Sequence, residues 1–114
     1  TPVVGLEAYV VPDHRARPSK ERRNHLTLLA ASTEGYYNLI KLCSAGYLEG
    51  YHRKPRVDHE TMARHTDGII ALSGCLSGSI CTHLEGEDVV AARAELDALR
   101  QIFGPDDVYV EIQN

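Results

Sequence analysis

Residues 3–11 read Val-Val-Gly-Leu-Glu-Ala-Tyr-Val-Val, an almost unbroken apolar run of strand length. Continuous rather than alternating patterning suits a strand covered on both faces, as in a parallel sheet or a barrel. Glu7 stands in the middle of this run. A buried charge without a partner is costly, so that carboxylate must be paired, protonated or bound to a metal.

The rest of the chain alternates strand and helix signals. Residues 12–24 are polar and basic and contain Pro12 and Pro18, which predicts a mobile loop. His25 to Ala30 reads as a second strand. Ser32 or Thr33 can cap a helix to about Leu48, with Tyr36, Leu39, Ile40, Cys43 and Tyr47 at helical spacing and Gly50 as its stop. Residues 51–57 form a second basic loop. Asp58 can cap a short helix through His65, and residues 69–73 read as a buried strand. Ser77 or Ser79 opens another short helix to Leu84. Val89, Ala92, Leu96, Leu99 and Phe103 give the clearest helical stripe, ended by Gly104-Pro105. Residues 108–112 are a final strand. The class is α/β. Helices between strands predict parallel βαβ units, while the first two strands, joined without a helix, can pair antiparallel. Four strands are too few for a closed barrel, which takes about eight.

The 114 residues are 43% hydrophobic and 25% charged, enough for a real core, which excludes extended disorder and fibrous classes. No apolar run approaches the roughly 20 residues of a membrane span, and no basic-then-apolar leader opens the sequence. The start, Thr1-Pro2-Val3-Val4-Gly5, reads as a segment of something longer. A net charge of −4 argues against a free-standing nucleic-acid binder. The charge is uneven, however. Asp13 to Arg23 carries five basic residues against two acids, whereas Glu85 to Asn114 carries eight acids against Arg93 and Arg100. Each stretch is either a solvated face or, for the basic loops, a contact to phosphate. Cys43, Cys75 and Cys81 contain no CxxC pair, which excludes a disulfide framework or zinc ribbon and suits a reducing cytoplasm.

Three residues stand out chemically. Glu7 is the acid in an apolar strand. His25 opens a strand, as a hydrogen-bonded edge residue or a ligand. Cys75 follows a strand directly, where α/β barrels keep their active sites; it is either a small buried residue, a metal ligand or a nucleophile. A carboxylate, an imidazole and a thiolate together suit zinc or a zinc/manganese mixture. His59 and His65 lack the spacing that puts two ligands on one helix face. His14, His52 and His83 read as surface residues, and Cys43 as core. Ser73 to Gly78 is a tight strand-to-helix turn or an anion cradle.

The segments GLEAYVVP at 5–12, HLTLLAASTEGYYNLIKLCSAGYLEG at 25–50, KPRVD at 54–58, GIIALSGCLSG at 68–78 and VYVEIQN at 108–114 occur in that order. Together they resemble the PHP (polymerase and histidinol phosphatase) domain, in the form carried by bacterial DNA polymerase III α subunits, along essentially the whole chain. The resemblance implies the central part of a distorted (β/α)7 barrel, incomplete in residues 1–114, with a trinuclear site for Zn2+ or Mn2+ at one end. Glu7, His25 and Cys75 match the family's metal-ligand positions. The family's opening H-x-H and late D-x-H motifs have no counterpart here, so the chain holds part of a metal site and is expected to be inactive alone. The implied parent is a cytoplasmic bacterial DNA-directed DNA polymerase that uses Mg2+. Its PHP domain would act as a metal-dependent phosphoesterase or 3′–5′ proofreading exonuclease. It could instead be a metal-stabilised scaffold that docks a separate proofreading exonuclease, or the chain could be a stand-alone PHP phosphatase. The implied partners are the rest of the α subunit and DNA, without a membrane. Arg53, Lys54 and Arg56 are candidate phosphate contacts or internal braces. A part-barrel with open sheet edges is expected to self-associate.

Overall fold

The computed structural model describes Thr1 to Asn114. It contains β1 (Gly5–Val10), β2 (Asn24–Ala30), α1 (Thr33–Leu48), α2 (His59–Ala63), β3 (Ile69–Leu72), α3 (Ser79–Glu85), α4 (Val89–Phe103) and β4 (Val108–Tyr109). The architecture is α/β: a four-stranded mixed sheet in the order β1-β2-β3-β4, with four helices. No helix is long and apolar enough to cross a membrane.

Strand pairing only partly follows the expectation of parallel βαβ units. β1 and β2 are antiparallel, and β3 and β4 are parallel across α3 and α4. β2 and β3, however, are antiparallel despite two helices between them. The cause is the path of the connection. Helix α1 starts beside the end of β2, and the chain then returns so that Gly68 meets Ala31 and Gly35. β3 therefore enters the sheet where β2 leaves it.

All four helices contribute to one apolar cluster on one face of the sheet. Ala8, Val10, Leu26, Leu28, Ile69 and Ala71 supply the sheet side. Leu39, Leu42, Met62, Ile80, Leu99 and Phe103 supply the helices. Each fully buried Leu or Ile here contributes roughly 2 kcal/mol. The opposite face carries Gly5, Glu7, Tyr9, His25, Thr27 and Leu29, none of them fully buried. The apolar run of β1 is thus covered on one face in this chain, and Glu7 is not buried: its side chain is 58% exposed.

Helix α1 sits on a different face from the one its apolar spacing suggested. Gly35, Asn38, Leu39, Leu42 and Gly46 are buried, while Tyr36, Ile40 and Tyr47 are exposed. Close approach decides this. A Cβ on Gly35 would lie 2.0 Å from the Gly68 carbonyl oxygen, so glycine lets the helix backbone meet that turn. Ser32 caps α1, its hydroxyl accepting from the Gly35 N–H at 3.1 Å. β4 is only two residues long because β3 ends at Leu72 and turns at Gly74, leaving residues 110–112 without a partner strand.

The loop at 12–23 is pinned rather than mobile. Arg56 is fully buried and is its anchor. Its guanidinium donates to Gly50 O (2.8 Å), Glu21 Oε1 (2.5 Å), His14 O (2.9 Å) and Ala16 O (2.8 Å). Arg56 is therefore an internal brace, with no surface to offer a phosphate. Further ties join the two basic loops: Arg53 donates to Ser19 O, the His52 ring bonds Pro18 O, and Arg17 reaches Glu49 O. His14, expected at the surface, is buried against Asp58.

Candidate metal centre

Glu7 and His25 meet because of the antiparallel register. Glu7 pairs with Thr27 and Tyr9 with His25, so Glu7 and His25 are diagonal neighbours on the open face. His25 Nδ1 lies 2.8 Å from Glu7 Oε1. The Tyr9 ring packs edge-on against the imidazole, with centroids 5.2 Å apart.

Cys75 reaches the same place from the turn after β3. Its Sγ lies 4.0 Å from His25 Nδ1 and accepts the Ser77 N–H at 3.4 Å. The three residues singled out in the sequence are thus gathered at one point on the open face. The turn that carries Cys75 is a strand-to-helix connection stitched to β2: Ser77 O accepts from the His25 backbone N–H (3.1 Å) and from the Asn24 side-chain amide (3.1 Å). Gly74, at φ +82°, places the turn against the His25 carbonyl, 3.2 Å from where a Cβ would sit.

Glu111 was missed, although an acid among the apolar residues of 108–112 is the same signal that marked Glu7. Its Oε2 accepts the Gly74 N–H at 2.7 Å, and its own N–H donates to Ser73 Oγ at 2.8 Å. Ser73 is buried, and its N–H donates to Tyr109 O at 2.9 Å. This reciprocal latch fixes the backbone from which Cys75 projects.

The donor set fits a transition metal. Carboxylate, imidazole and thiolate are the three ligand types zinc takes, with bonds of about 2.0–2.3 Å. Donors on a tetrahedral ion then lie about 3.5 Å apart, a spacing that falls between the 2.8 Å from the His25 nitrogen to the Glu7 carboxylate and the 4.0 Å from the same nitrogen to the Cys75 sulfur. The open face leaves room for ligands from elsewhere.

A groove of about 700 Å3 lies on the helical side of the sheet, away from this point. Asp13 and Asp58 line it, and with His14 they bring three candidate ligand atoms within 4.8 Å of one another. Asp58 is already saturated. Its oxygens accept from the His14 N–H (2.9 Å), the His14 ring (2.5 Å), the Thr61 N–H (2.9 Å) and the Thr61 hydroxyl (2.8 Å). Burial pushes its carboxyl up, but these bonds prevail and hold it well below the usual carboxylate range. Asp58 is thus a helix cap and loop anchor. Beside it, the hydrogen bond to Glu95 raises the His59 imidazole, against the opposing effect of burial.

A family profile described as the PHP domain matches residues 1–114. The chain is 46% identical over 120 residues to the DNA polymerase III subunit alpha of Deinococcus radiodurans, with 99% of the chain and 9% of that protein covered. It is 42% identical to the same subunit of Thermus aquaticus, covering 99% of the chain and 10% of that protein. The Aquifex aeolicus subunit is 34% identical, with 98% of the chain and 10% of that protein covered. The chain spans about a tenth of the length of these curated relatives. With the profile matched from end to end and relatives 34–46% identical along nearly the whole chain, this chain belongs to the PHP domain family.

Proposed function

We propose that this chain forms the central part of a distorted PHP barrel in a bacterial DNA polymerase III α subunit, and that Glu7, His25 and Cys75 hold divalent metal for phosphoester hydrolysis. The observation that carries this reading is the convergence of the three donors: imidazole nitrogen 2.8 Å from the carboxylate and 4.0 Å from the thiol. The open sheet face would be the lumen of that barrel, with its remaining ligands supplied from outside residues 1–114.

The chain's own groups have separable tasks. Glu7 presents an exposed oxygen and can bridge ions. Its contact fixes the His25 ring, and the edge of Tyr9 blocks that ring from turning away. Cys75 supplies a soft donor that favours zinc over magnesium. Zn2+ or Mn2+ there would supply Lewis-acid polarisation of a phosphoryl oxygen and acidify a water molecule.

The test uses the full-length protein. Metal content is measured by mass spectrometry, and release of the terminal nucleotide from a 3′-labelled oligonucleotide is followed without nucleoside triphosphates. The expected result is bound Zn2+ or Mn2+ and hydrolysis, both lost in His25→Ala and Cys75→Ala. A folded protein with no bound metal would refute the centre. Bound metal without hydrolysis would refute the catalytic role and leave a metal-stabilised scaffold.

A further inference from the structure

The two basic loops, residues 15–23 and 51–56, are separated in sequence by β2 and α1 but form one surface. Across 15–23 and 51–56 there are eight basic residues against a single acid, Glu21. Glu21 is neutralised from inside by Arg56 and Arg23. The neighbouring acid Glu49 is paired with Arg64 at 3.6 Å. Arg17, Lys20, Arg22, Arg53 and Lys54 are all exposed, and none has a carboxylate partner within ion-pair distance. Arg17 and Arg53 hold backbone carbonyls, which orders their side chains without cancelling their charge. In a chain of net charge −4 this is a local concentration of free cations.

Aromatic rings flank it. Tyr47 and Tyr51 stack on each other with centroids 6.2 Å apart and 19° between planes, and are 58% and 51% exposed. Lys54 Nζ stands 5.8 Å over the Tyr9 ring, the same ring that packs on His25. Tyr9, Tyr47 and Glu7 also line one cleft of about 160 Å3 between β1 and α1. Tyr9 thus touches both Lys54 of the second basic loop and His25, and shares a cleft with Tyr47 and Glu7.

We propose that these loops and rings are a docking surface for single-stranded nucleic acid, whose phosphates meet the five free cations and whose bases stack on Tyr47 and Tyr51. Free cations alone would serve an acidic protein or an anionic membrane equally well. Ring faces beside them fit unpaired bases, which stack on aromatic side chains irrespective of sequence. The idea that the bound strand leads its end to the metal centre rests on the proposed function; the docking surface itself does not.

The test uses the full-length protein stripped of metal by chelator, so that its outcome is independent of hydrolysis. A single-stranded oligonucleotide carrying photoreactive thymidines is crosslinked and the adducts are mapped by mass spectrometry. The expected adducts fall on Tyr47, Tyr51 and the two loops, with Lys20 and Lys54 protected from acetylation. Five phosphate contacts on a single strand predict about a hundredfold loss of apparent affinity at these sites between about 50 and 200 mM salt, falling to about twentyfold in Arg22→Ala/Lys54→Ala. Arg93→Ala/Arg100→Ala, on α4, should leave the crosslinks unchanged. Acetylation protection in the unaltered protein keeps the test decisive if a variant misfolds. Adducts elsewhere only, equal loss in the α4 variant, equal protection by duplex DNA, or protection of Lys20 and Lys54 by anionic vesicles but not by the oligonucleotide would each overturn the proposal.

Discussion

Replacing Arg56 with methionine should release the loop at 12–23. Arg56 is fully buried, and its ion-pair partner Glu21 has a side chain only 7% exposed. Removing Arg56 leaves the Glu21 carboxylate unsolvated with only its longer contact to Arg23 at 3.6 Å, at a cost of about 3–5 kcal/mol. The carbonyls of Gly50, His14 and Ala16 also lose their donor, while the methionine side chain restores part of the packing. A loss of about 4 kcal/mol follows, equivalent to roughly a thousandfold faster hydrogen exchange where opening is local. Amide exchange read by mass spectrometry reports this at residues 13–23 and 50–58, including the Val57 N–H bonded to Tyr9 O at 2.9 Å. Amides of α4 serve as the internal control. Glu21→Leu combined with Arg56→Met should recover most of the protection, because the uncompensated charge is gone. Less than a tenfold change in Arg56→Met would refute the view that this buried network anchors the loop.

Three further outcomes follow from other contacts. The lowered carboxyl of Asp58 favours the folded state when ionised, so its stabilisation is present at neutral pH and is lost as pH falls below its ordinary value of 3.8. Asp58→Asn should cost about 2 kcal/mol at neutral pH and flatten the acid limb of a plot of urea midpoint against pH; an unchanged acid limb would contradict the assignment. Gly35→Ala places a Cβ 2.0 Å from the Gly68 oxygen and should destabilise the packing of α1 by about 3 kcal/mol in urea unfolding, against a near-neutral result if the helix can shift. Glu111→Ala should raise the alkylation rate of Cys75 severalfold and cost about 1.5 kcal/mol through the freed Gly74 N–H, and an unchanged thiol rate would show that the latch does not position the turn.

The site was more legible in the sequence than the packing around it. Glu7 stands out because an acid in an apolar strand demands an explanation, although its side chain proves exposed, and His25 and Cys75 because each sits at a strand end; a metal-ligand role for the three is what the family resemblance implies. Glu111 carried the same signal and went unread. The buried face of α1 was misread because Gly35, Asn38 and Gly46 make its contacts, and hydropathy does not register two backbones in close approach. The burial of Arg56 depends on Glu21, 35 residues away, a pairing no local pattern encodes. The antiparallel pairing of β2 with β3 depends on where a two-helix connection returns, which the alternation of strands and helices leaves open.

The central claim is that Glu7, His25 and Cys75 share a metal ion. The full-length protein, cleared of metal and reloaded with Co2+, tests it by absorption spectroscopy. The prediction is a near-ultraviolet thiolate-to-cobalt charge-transfer band that disappears in Cys75→Ser and weakens in Glu7→Gln and His25→Gln. No band, or a band that survives Cys75→Ser in a folded protein, would contradict it.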